Sequence, residues 1–247
     1  MALREEFERT GNWLFRWRSY IPLVLIVLMF LAMNHPDYLC QDRGGQDVWA
    51  LFCLAVSLVG LGIRVATVGH VPQGTSGRNT HEGQLAEVLN TTGMYSVVRH
   101  PLYLGNFVIW IGISLFCRVW WLTALFASAF WVYYERIMFA EEEFLRRKFG
   151  ETYLAWAEVT PAFLPRLRRW KRPELPFSLR TVLRREYPGL LAICASFFAM
   201  EAYQRVVIRG EWRPNLLWTG IFLTGLAAFL TLRTLKRNTR LLAVDGR

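Results

Sequence analysis

The run LYLGNFVIWIGISLFCRVWWLTALFASAFWVYY, residues 102–134, is apolar apart from one charge, Arg118. A helix needs roughly 20 apolar residues to cross the hydrocarbon core of a bilayer, so this run is long enough for two spans joined by a tight turn. The rest of the chain agrees, because 53% of its 247 residues are apolar and 11 are tryptophan. The sequence therefore predicts an all-α, polytopic membrane protein that contains this hairpin.

Four further apolar segments bring the predicted count to six transmembrane helices. The first begins at Ile21 and lacks a small-residue cleavage site, so we expect it to be retained rather than removed as a signal. Arg64 and Glu201 each lie inside one of these segments, where a charge is costly; each is a candidate for function or lies near an interface. The four segments are Ile21–Met33, extended to Leu39, Val48–Gly69, Leu190–Val207 and Leu216–Leu232.

Lysine and arginine are unevenly divided between the two sides of this topology. The segments on the side of the termini hold 22 of them, whereas the connections on the opposite side hold 5. The positive-inside rule therefore puts both termini and the Arg99–His100 region in the cytoplasm, within the inner membrane if the organism is bacterial. The net charge of +10 is expected to face anionic lipid headgroups. No soluble segment is long enough to suggest a nucleic-acid-binding domain.

The cysteines and histidines follow no metal-binding pattern. There is no CxxC pair, and His81 is not followed by the second histidine of a zinc-protease motif. No metal site is therefore predicted. Cys53 and Cys194 fall inside spans, where we expect them to pack, while a disulfide between Cys40 and Cys117 near the outer face is left open.

Charged residues gather where the hairpin meets the cytoplasm. Arg99 and His100 precede its first helix, and three glutamates, residues 141–143, follow its second. Because the two helices are antiparallel neighbours, we expect these groups around one spot, where an arginine and a glutamate suit a zwitterionic ligand. In the alternative interpretation, Arg99 extends to lipid headgroups and the glutamates pair with Arg146 and Lys148 along the helix.

Two motifs flank the apolar hairpin: TTGMYSVVRHPLYLG, which starts at Thr91, and AEEEFLRRKFGETYLAWAEVTPAFLP, which starts at Ala140. Together they resemble the motifs of the isoprenylcysteine carboxyl methyltransferase and phospholipid methyltransferase superfamily, over residues 88–165, a third of the chain. Each motif alone is moderately specific, but both in order around a hairpin make a strong resemblance. The matching residues are Arg99, His100, Pro101, Tyr103, Gly105, Glu141, Glu142, Leu145, Phe149, Gly150, Tyr153 and Pro165.

The resemblance implies an integral membrane methyltransferase. Its cofactor would be S-adenosylmethionine, bound at the cytoplasmic ends of the core helices, and its acceptor would be a lipophilic molecule that arrives from the bilayer. Arg99 and His100 are the implied catalytic residues. The implied cofactor-binding residues are Arg99, His100, Tyr103, Gly105, Glu141 and Glu142, of which one glutamate would bind the methionyl ammonium.

The helical pattern favours Glu141 over Glu142 as that glutamate. Adjacent residues of a helix point about 100° apart, so both cannot face one ligand equally well. Glu141 shares a face with Leu145, which packs beneath the membrane, whereas Glu142 lies one turn before Arg146 and can pair with it at the surface. We therefore predict that Glu141 lies nearer the cofactor amine.

The acceptor is predicted to be a lipid headgroup or an isoprenoid-linked group. O-methylation is slightly favoured over N-methylation, because the basic stretch after Pro165 can gather an anionic headgroup. An amine acceptor would have to lose a proton, for which His100 or a glutamate is the candidate base. Two alternatives remain: an NADPH-dependent reductase of the sterol reductase type, although a GxGxxG motif is absent, and a non-catalytic membrane protein on the same scaffold.

The sequence predicts four parts, which differ in hydropathy, in charge and in their resemblance to the motifs. The last two helices and the basic stretch before them have no counterpart in the motifs above. The parts are a cytoplasmic N-terminal segment (1–19), a membrane methyltransferase core (20–165), a basic juxtamembrane segment (166–188), and two additional transmembrane helices with a cytoplasmic tail (189–247).

Overall fold

Helices make up nearly all of the regular structure in the computed structural model of the chain, and the predicted all-α class is confirmed. The model describes residues 2–17, 21–34, 45–72, 79–80, 83–84, 86–244 and 246. A two-residue strand pair joins Asn79–Thr80 to Gly83–Gln84. The helices are α1 (Leu3–Trp17), α2 (Ile21–Ala32), α3 (Gln46–Val68), α4 (Pro101–Leu115), α5 (Trp120–Phe149), α6 (Glu151–Val159), α7 (Leu179–Tyr203) and α8 (Leu216–Asn238).

Three helices of the described chain are long and apolar enough to cross a membrane, which indicates an integral membrane protein. They are α3, α8, and α7 together with the π-helical turn Gln204–Ile208 that continues it. Helix α4 is apolar, but its 15 residues span only about 22 Å. Helix α5 is apolar over its first half and charged over its second. The predicted extension of the first span to Leu39 lies outside the described residues, and the count of six spans stays a prediction.

The hairpin of α4 and α5 has local causes at both ends. Pro101 opens α4 at a position where a missing N–H costs nothing. Arg118 occupies the left-handed region, with φ 53°, and turns the chain into α5. The two helices therefore run antiparallel, as predicted, and bring His100 next to the charged half of α5.

Helix α4 packs closely against α3 through glycines. A Cβ on Gly60 would lie 2.6 Å from the carbonyl oxygen of Gly105, and a Cβ on Gly105 would lie 2.6 Å from Cγ of Arg64. The hydroxyl of Ser57 adds a hydrogen bond of 3.0 Å to the carbonyl of Ile109. Small residues that let two helix backbones approach in this way are typical of membrane helix pairs.

The connections predicted to share the outer side lie at one end of the bundle. The guanidinium of Arg118 donates to the carbonyl of Gly45 at 3.4 Å, and the indole N–H of Trp218 donates to Asp47 at 3.2 Å. Near them, Glu201 accepts a hydrogen bond from the amide of Asn215 at 3.1 Å and forms an ion pair with Arg205 at 3.8 Å. Glu201 is thus part of a polar cluster at the end of the bundle that is predicted to face the outer side.

Helix α7 starts earlier than the predicted span at Leu190. Ser178 caps it by accepting a hydrogen bond from the amide of Thr181 at 3.3 Å, and the helix then runs through Pro188. The second half of the predicted juxtamembrane segment therefore forms the first turns of α7. At its other end, α7 packs against α8, where the rings of Phe197 and Trp218 stack 5.9 Å apart.

Helix α1 lies along the charged half of α5. Gly11 makes this close approach, since a Cβ there would lie 2.1 Å from the carbonyl oxygen of Arg136. Ion pairs join Arg4 to Glu143 and, at 2.6 Å, Glu8 to Arg147. The three cysteines of the described chain, Cys53, Cys117 and Cys194, are free, while Cys40 lies outside the described residues.

Candidate functional site

Two extended segments bring the motif residues together. The amide of Arg99 donates to the carbonyl of Pro161 at 2.8 Å, and that of Arg166 donates to the carbonyl of Val97 at 2.9 Å. The stretch that follows α6 therefore folds back beside the stretch that precedes α4. Thr160, which precedes Pro161, has extended backbone with φ −112° and ψ 118°, as a following proline favours, and Pro161 cannot continue α6.

Arg99 is held inside the protein. Its Nε and Nη2 donate to the two carboxylate oxygens of Glu142 at 2.9 and 3.3 Å, and its Nη1 donates to the carbonyls of Ala157 and Thr160 at 2.8 and 3.0 Å. Its side chain is 18% exposed. These contacts favour the predicted charge cluster over the alternative in which Arg99 reaches for lipid headgroups.

His100 links two glutamates in a buried position. Its Nε2 lies 2.8 Å from Oε1 of Glu142, and its Nδ1 lies 3.6 Å from Oε2 of Glu141. The ring precedes α4, outside the apolar helices, and it stacks on Tyr103 with centroids 5.6 Å apart. Burial lowers the pKa of His100, but the hydrogen bonds to the glutamates and their charges outweigh it and raise the pKa to about 9. The imidazole is therefore charged at neutral pH.

The three consecutive glutamates face three different neighbours. Glu141 accepts a hydrogen bond of 2.8 Å from the hydroxyl of Tyr103 and lines a cavity. Glu142, in the charged half of α5, faces Arg99 and His100; burial raises its pKa, but the His100 hydrogen bond and both positive charges outweigh that and lower it. Glu143 is buried and pairs with α1 through Arg4.

The predicted pairing of Glu142 with Arg146 is wrong. Arg146 lies 3.8 Å from Glu143 instead, because residues three apart are also neighbours on a helix. The rotation of α5 about its axis thus differs from the one assumed from the sequence, and Glu142 pairs with Arg99 instead of Arg146. Glu141 nonetheless remains the glutamate that faces the cavity.

The cavity that Glu141 lines has a volume of about 620 Å³ and a graded lining. Charged residues surround one end, and aromatic rings of Tyr103, Trp110 and Tyr134 follow. The other end is apolar and is bounded by Ile113 and Ile193. Among the predicted site residues, Arg99 and His100 also line it, whereas Gly105 faces Arg64 and α3.

A part-buried ion pair contributes to one wall of this cavity. Arg64 donates to both carboxylate oxygens of Glu186, at 2.8 and 3.0 Å, and to the amide oxygen of Asn106 at 2.7 Å. Asn106 in turn donates to the hydroxyl of Tyr134 at 3.2 Å. The sequence marked Arg64 as a candidate but not its partner, since Glu186 lies 122 residues away in a basic stretch.

Residues 50–152 match the model of the phospholipid methyltransferase family. The superfamily predicted from the motifs is confirmed for this part of the chain. A protein-S-isoprenylcysteine O-methyltransferase of Schizosaccharomyces pombe is 31% identical over 78 residues, which are 32% of this chain and 33% of that protein. The matched region ends before α7, so α7 and α8 lie outside the part that the family model covers.

Two relatives with longer matches have names that refer to metal resistance. The nickel-cobalt-cadmium resistance protein NccN of Alcaligenes xylosoxydans xylosoxydans is 36% identical over 154 residues, 61% of this chain and 63% of that protein. The cobalt-zinc-cadmium resistance protein CzcN of Cupriavidus metallidurans is 33% identical over 153 residues, 61% of this chain and 62% of that protein. The chain thus spans less than two thirds of the length of these relatives. No solved structure matches it significantly.

Proposed function

We propose that this chain is an S-adenosylmethionine-dependent methyltransferase that acts on a lipophilic acceptor held in the membrane. One observation carries the proposal: the superfamily's motif residues surround the charged end of a cavity whose other end is apolar and lies among the membrane helices. A charged methyl donor and a lipid chain can therefore occupy neighbouring parts of the same space.

The cavity suits the methyl donor in size and in chemistry. Its volume of about 620 Å³ is within the range of about 300–1,000 Å³ that small-ligand sites occupy. Glu141 offers a carboxylate for the methionyl ammonium, and the rings of Tyr103, Trp110 and Tyr134 offer faces for an adenine or a sulfonium. When bound, S-adenosylmethionine would supply a methyl group activated by the positive charge on sulfur.

The residues of this chain would act by orientation. His100, charged at neutral pH, donates towards Glu141 and Glu142 and so fixes both carboxylates. Arg99 binds both Glu142 of α5 and the carbonyl of Thr160 after α6, and so fixes the position of α5 relative to the start of α4. Alignment of two reactants in a site that excludes water can contribute about 7–11 kcal/mol to a displacement reaction, and no covalent nucleophile is required.

The charge on His100 bears on the kind of acceptor. An amine acceptor must lose a proton, and an imidazole that is already protonated cannot take it. An oxygen acceptor that is already anionic needs no base. The raised pKa of His100 therefore leaves a glutamate as the candidate base for an amine acceptor, whereas an anionic oxygen acceptor needs none. The preference for O-methylation rests on the basic stretch after Pro165.

Calorimetry of the detergent-solubilised protein tests this proposal against the alternatives. We expect binding of S-adenosylmethionine and none of NADPH; binding of NADPH alone would instead favour the reductase, and binding of neither would favour a non-catalytic scaffold.

A third titration, with Zn²⁺, tests whether the protein binds a metal ion, since the names of two relatives refer to metal resistance. In the described chain no group of three or more His, Cys, Asp or Glu side chains could hold a metal ion, so no tight binding is expected.

A further inference from the structure

The cavity has a second wall that lies outside the region matched to the family. Helix α7 contributes Arg184, Arg185 and Glu186 to its lining, and α8 contributes Lys236. The family match ends at residue 152, before either helix begins. These residues therefore lie outside the region that the family model covers.

Positive charge predominates on this wall. Five lysine or arginine residues line the whole cavity against two carboxylates, Glu141 and Glu186. Both carboxylate oxygens of Glu186 are engaged by Arg64, so Glu186 does not offset the charge of Arg184. Arg184 is half-buried and makes no hydrogen bond or ion pair within the described part of the chain. A partly desolvated guanidinium that faces a cavity without a partner is suited to an anionic ligand.

The apolar end of the cavity continues from this basic wall. One turn beyond Pro188, α7 presents Ala192 and Ile193 to the cavity, opposite Ile109 and Ile113 of α4. A free inorganic anion would gain nothing from these side chains. An amphiphile with a negatively charged headgroup would bury its chain there, with a gain of about 0.8 kcal/mol for each CH₂ removed from water.

We propose that the wall formed by α7 and α8 is the acceptor site, and that Arg184 binds the anionic oxygens of a lipid headgroup whose chain lies along the apolar end of the cavity. The shared chemistry is a phosphate or carboxylate on a hydrocarbon chain. The assignment to the acceptor rests on the proposed function: the methyl donor is common to the superfamily, whereas α7 and α8 lie outside its matched region.

The proposed headgroup site shares its cavity with the motif residues. Arg184 and Glu141 line the same cavity, so an anion on Arg184 shares that space with a donor held by Glu141. An acceptor oxygen gives an electron pair to the methyl carbon, and the carbon–sulfur bond breaks with its electron pair left on sulfur. The products are a methyl ester and S-adenosylhomocysteine, and no proton is transferred.

Binding of dodecyl phosphate to the protein in neutral maltoside micelles tests the site. Trp110 lines the cavity, so quenching of tryptophan fluorescence is a suitable signal. We expect Arg184→Gln to weaken binding at least tenfold. The matched control is Arg180→Gln, since Arg180 is exposed, lies on the same helix and is not part of the cavity lining; it should change binding less than twofold. Inorganic phosphate should bind at least tenfold more weakly than dodecyl phosphate.

Three results would overturn this assignment: equal losses of dodecyl phosphate affinity in the two variants, equal binding of phosphate and dodecyl phosphate, or a tenfold loss of S-adenosylmethionine affinity in Arg184→Gln. The last result would mean that Arg184 binds the carboxylate of the methyl donor.

Calorimetry of S-adenosylmethionine binding to the wild type separates this site from the proposed function. If wild-type protein binds dodecyl phosphate through Arg184 but not S-adenosylmethionine, the anion site stands and the methyltransferase proposal fails. If it binds S-adenosylmethionine but its binding of dodecyl phosphate does not depend on Arg184, the methyltransferase proposal stands and the anion site fails.

Discussion

Glu141, Glu142 and Glu143 are consecutive residues on one helix, and each has a different task in the site. Glu141 faces the cavity, Glu142 balances the charges of Arg99 and His100, and Glu143 holds α1. The motif that made these residues candidates does not distinguish them. Their environments do, because a ligand can pair only with the carboxylate that faces the open space.

Glu141→Gln is predicted to weaken S-adenosylmethionine binding without loss of stability. The amide keeps the shape of the side chain but removes the charge that pairs with an ammonium. Loss of a charge-assisted hydrogen bond costs about 1.5–3 kcal/mol, or roughly tenfold to a hundredfold in affinity. Calorimetry measures the affinity, and thermal unfolding measures the stability.

The neighbouring glutamates are the matched controls for this variant. Glu143→Gln should leave the affinity unchanged, because Glu143 points to α1. Glu142→Gln should lower the melting temperature, because Arg99 and His100 lose their counter-charge. A larger loss of affinity in Glu143→Gln than in Glu141→Gln would contradict the assignment.

The charge on His100 predicts a specific dependence of stability on pH. A group whose pKa is raised from 6.5 to about 9 on folding stabilises the protein fully below about pH 6.5, and that contribution is lost as the pH rises through about 9. The difference in melting temperature between the wild type and His100→Asn should therefore shrink from pH 6.5 to pH 9.5. A difference that stays constant over this range would mean that the buried ring is neutral.

At the scale of elements, the hairpin of α4 and α5 could be predicted from the sequence, whereas the segments that pack against it could not. The two helices follow from the length of one apolar run, and their antiparallel course brings residues 99–100 to residues 141–143. The segment from Pro161 to Arg166 that folds back beside Val97 carries no such periodic signal. The rotation of α5 depends on that segment and on α1, so Arg146 was paired with the wrong glutamate.

The ion pair between Arg64 and Glu186 is predicted to hold α7 against α3. Glu186→Gln leaves Arg64 without its counter-charge in a part-buried position, and loss of such a charge-assisted pair should cost about 1.5–3 kcal/mol. Thermal unfolding of the purified protein should reveal a lower melting temperature. The control is Glu158→Gln, an exposed residue of α6, which should not change it.

A double variant tests whether this pair acts as a pair. Replacement of both Arg64 and Glu186 by methionine removes both charges, so it should recover much of the stability that Glu186→Gln loses. A double variant that is less stable than Glu186→Gln would show that these residues stabilise the helices through other contacts.

The predicted topology is testable with reporter fusions at four positions. The connections near residues 45, 118 and 210 lie at one end of the bundle, opposite His100. Fusions after these residues should report the outer side, and a fusion after residue 165 should report the cytoplasm. A cytoplasmic signal at 118 would contradict the hairpin on which the site depends.

At the scale of the whole molecule, a region that matches the family is joined to a helix pair that lies outside the match. The motifs predicted the shared region and its clustered residues, since local patterns carry them. They could not predict that α7 completes the cavity. Glu186 and Arg64 are 122 residues apart, and the sequence around Glu186 does not indicate that Glu186 pairs with an arginine of α3. The cavity is therefore lined both by residues inside the family match and by residues outside it, and the Arg64–Glu186 ion pair joins the two sets.

Transfer of a radiolabelled methyl group from S-adenosylmethionine into lipid tests the central claim most directly. The purified protein would be reconstituted with lipids extracted from its own organism, and label would be counted in the organic phase. We predict incorporation well above that of empty vesicles, retained in Glu158→Gln and reduced at least tenfold in Glu141→Gln. Label that stays at the level of empty vesicles, or incorporation that is equal in the wild type and Glu141→Gln, would contradict a methyltransferase site at this cavity.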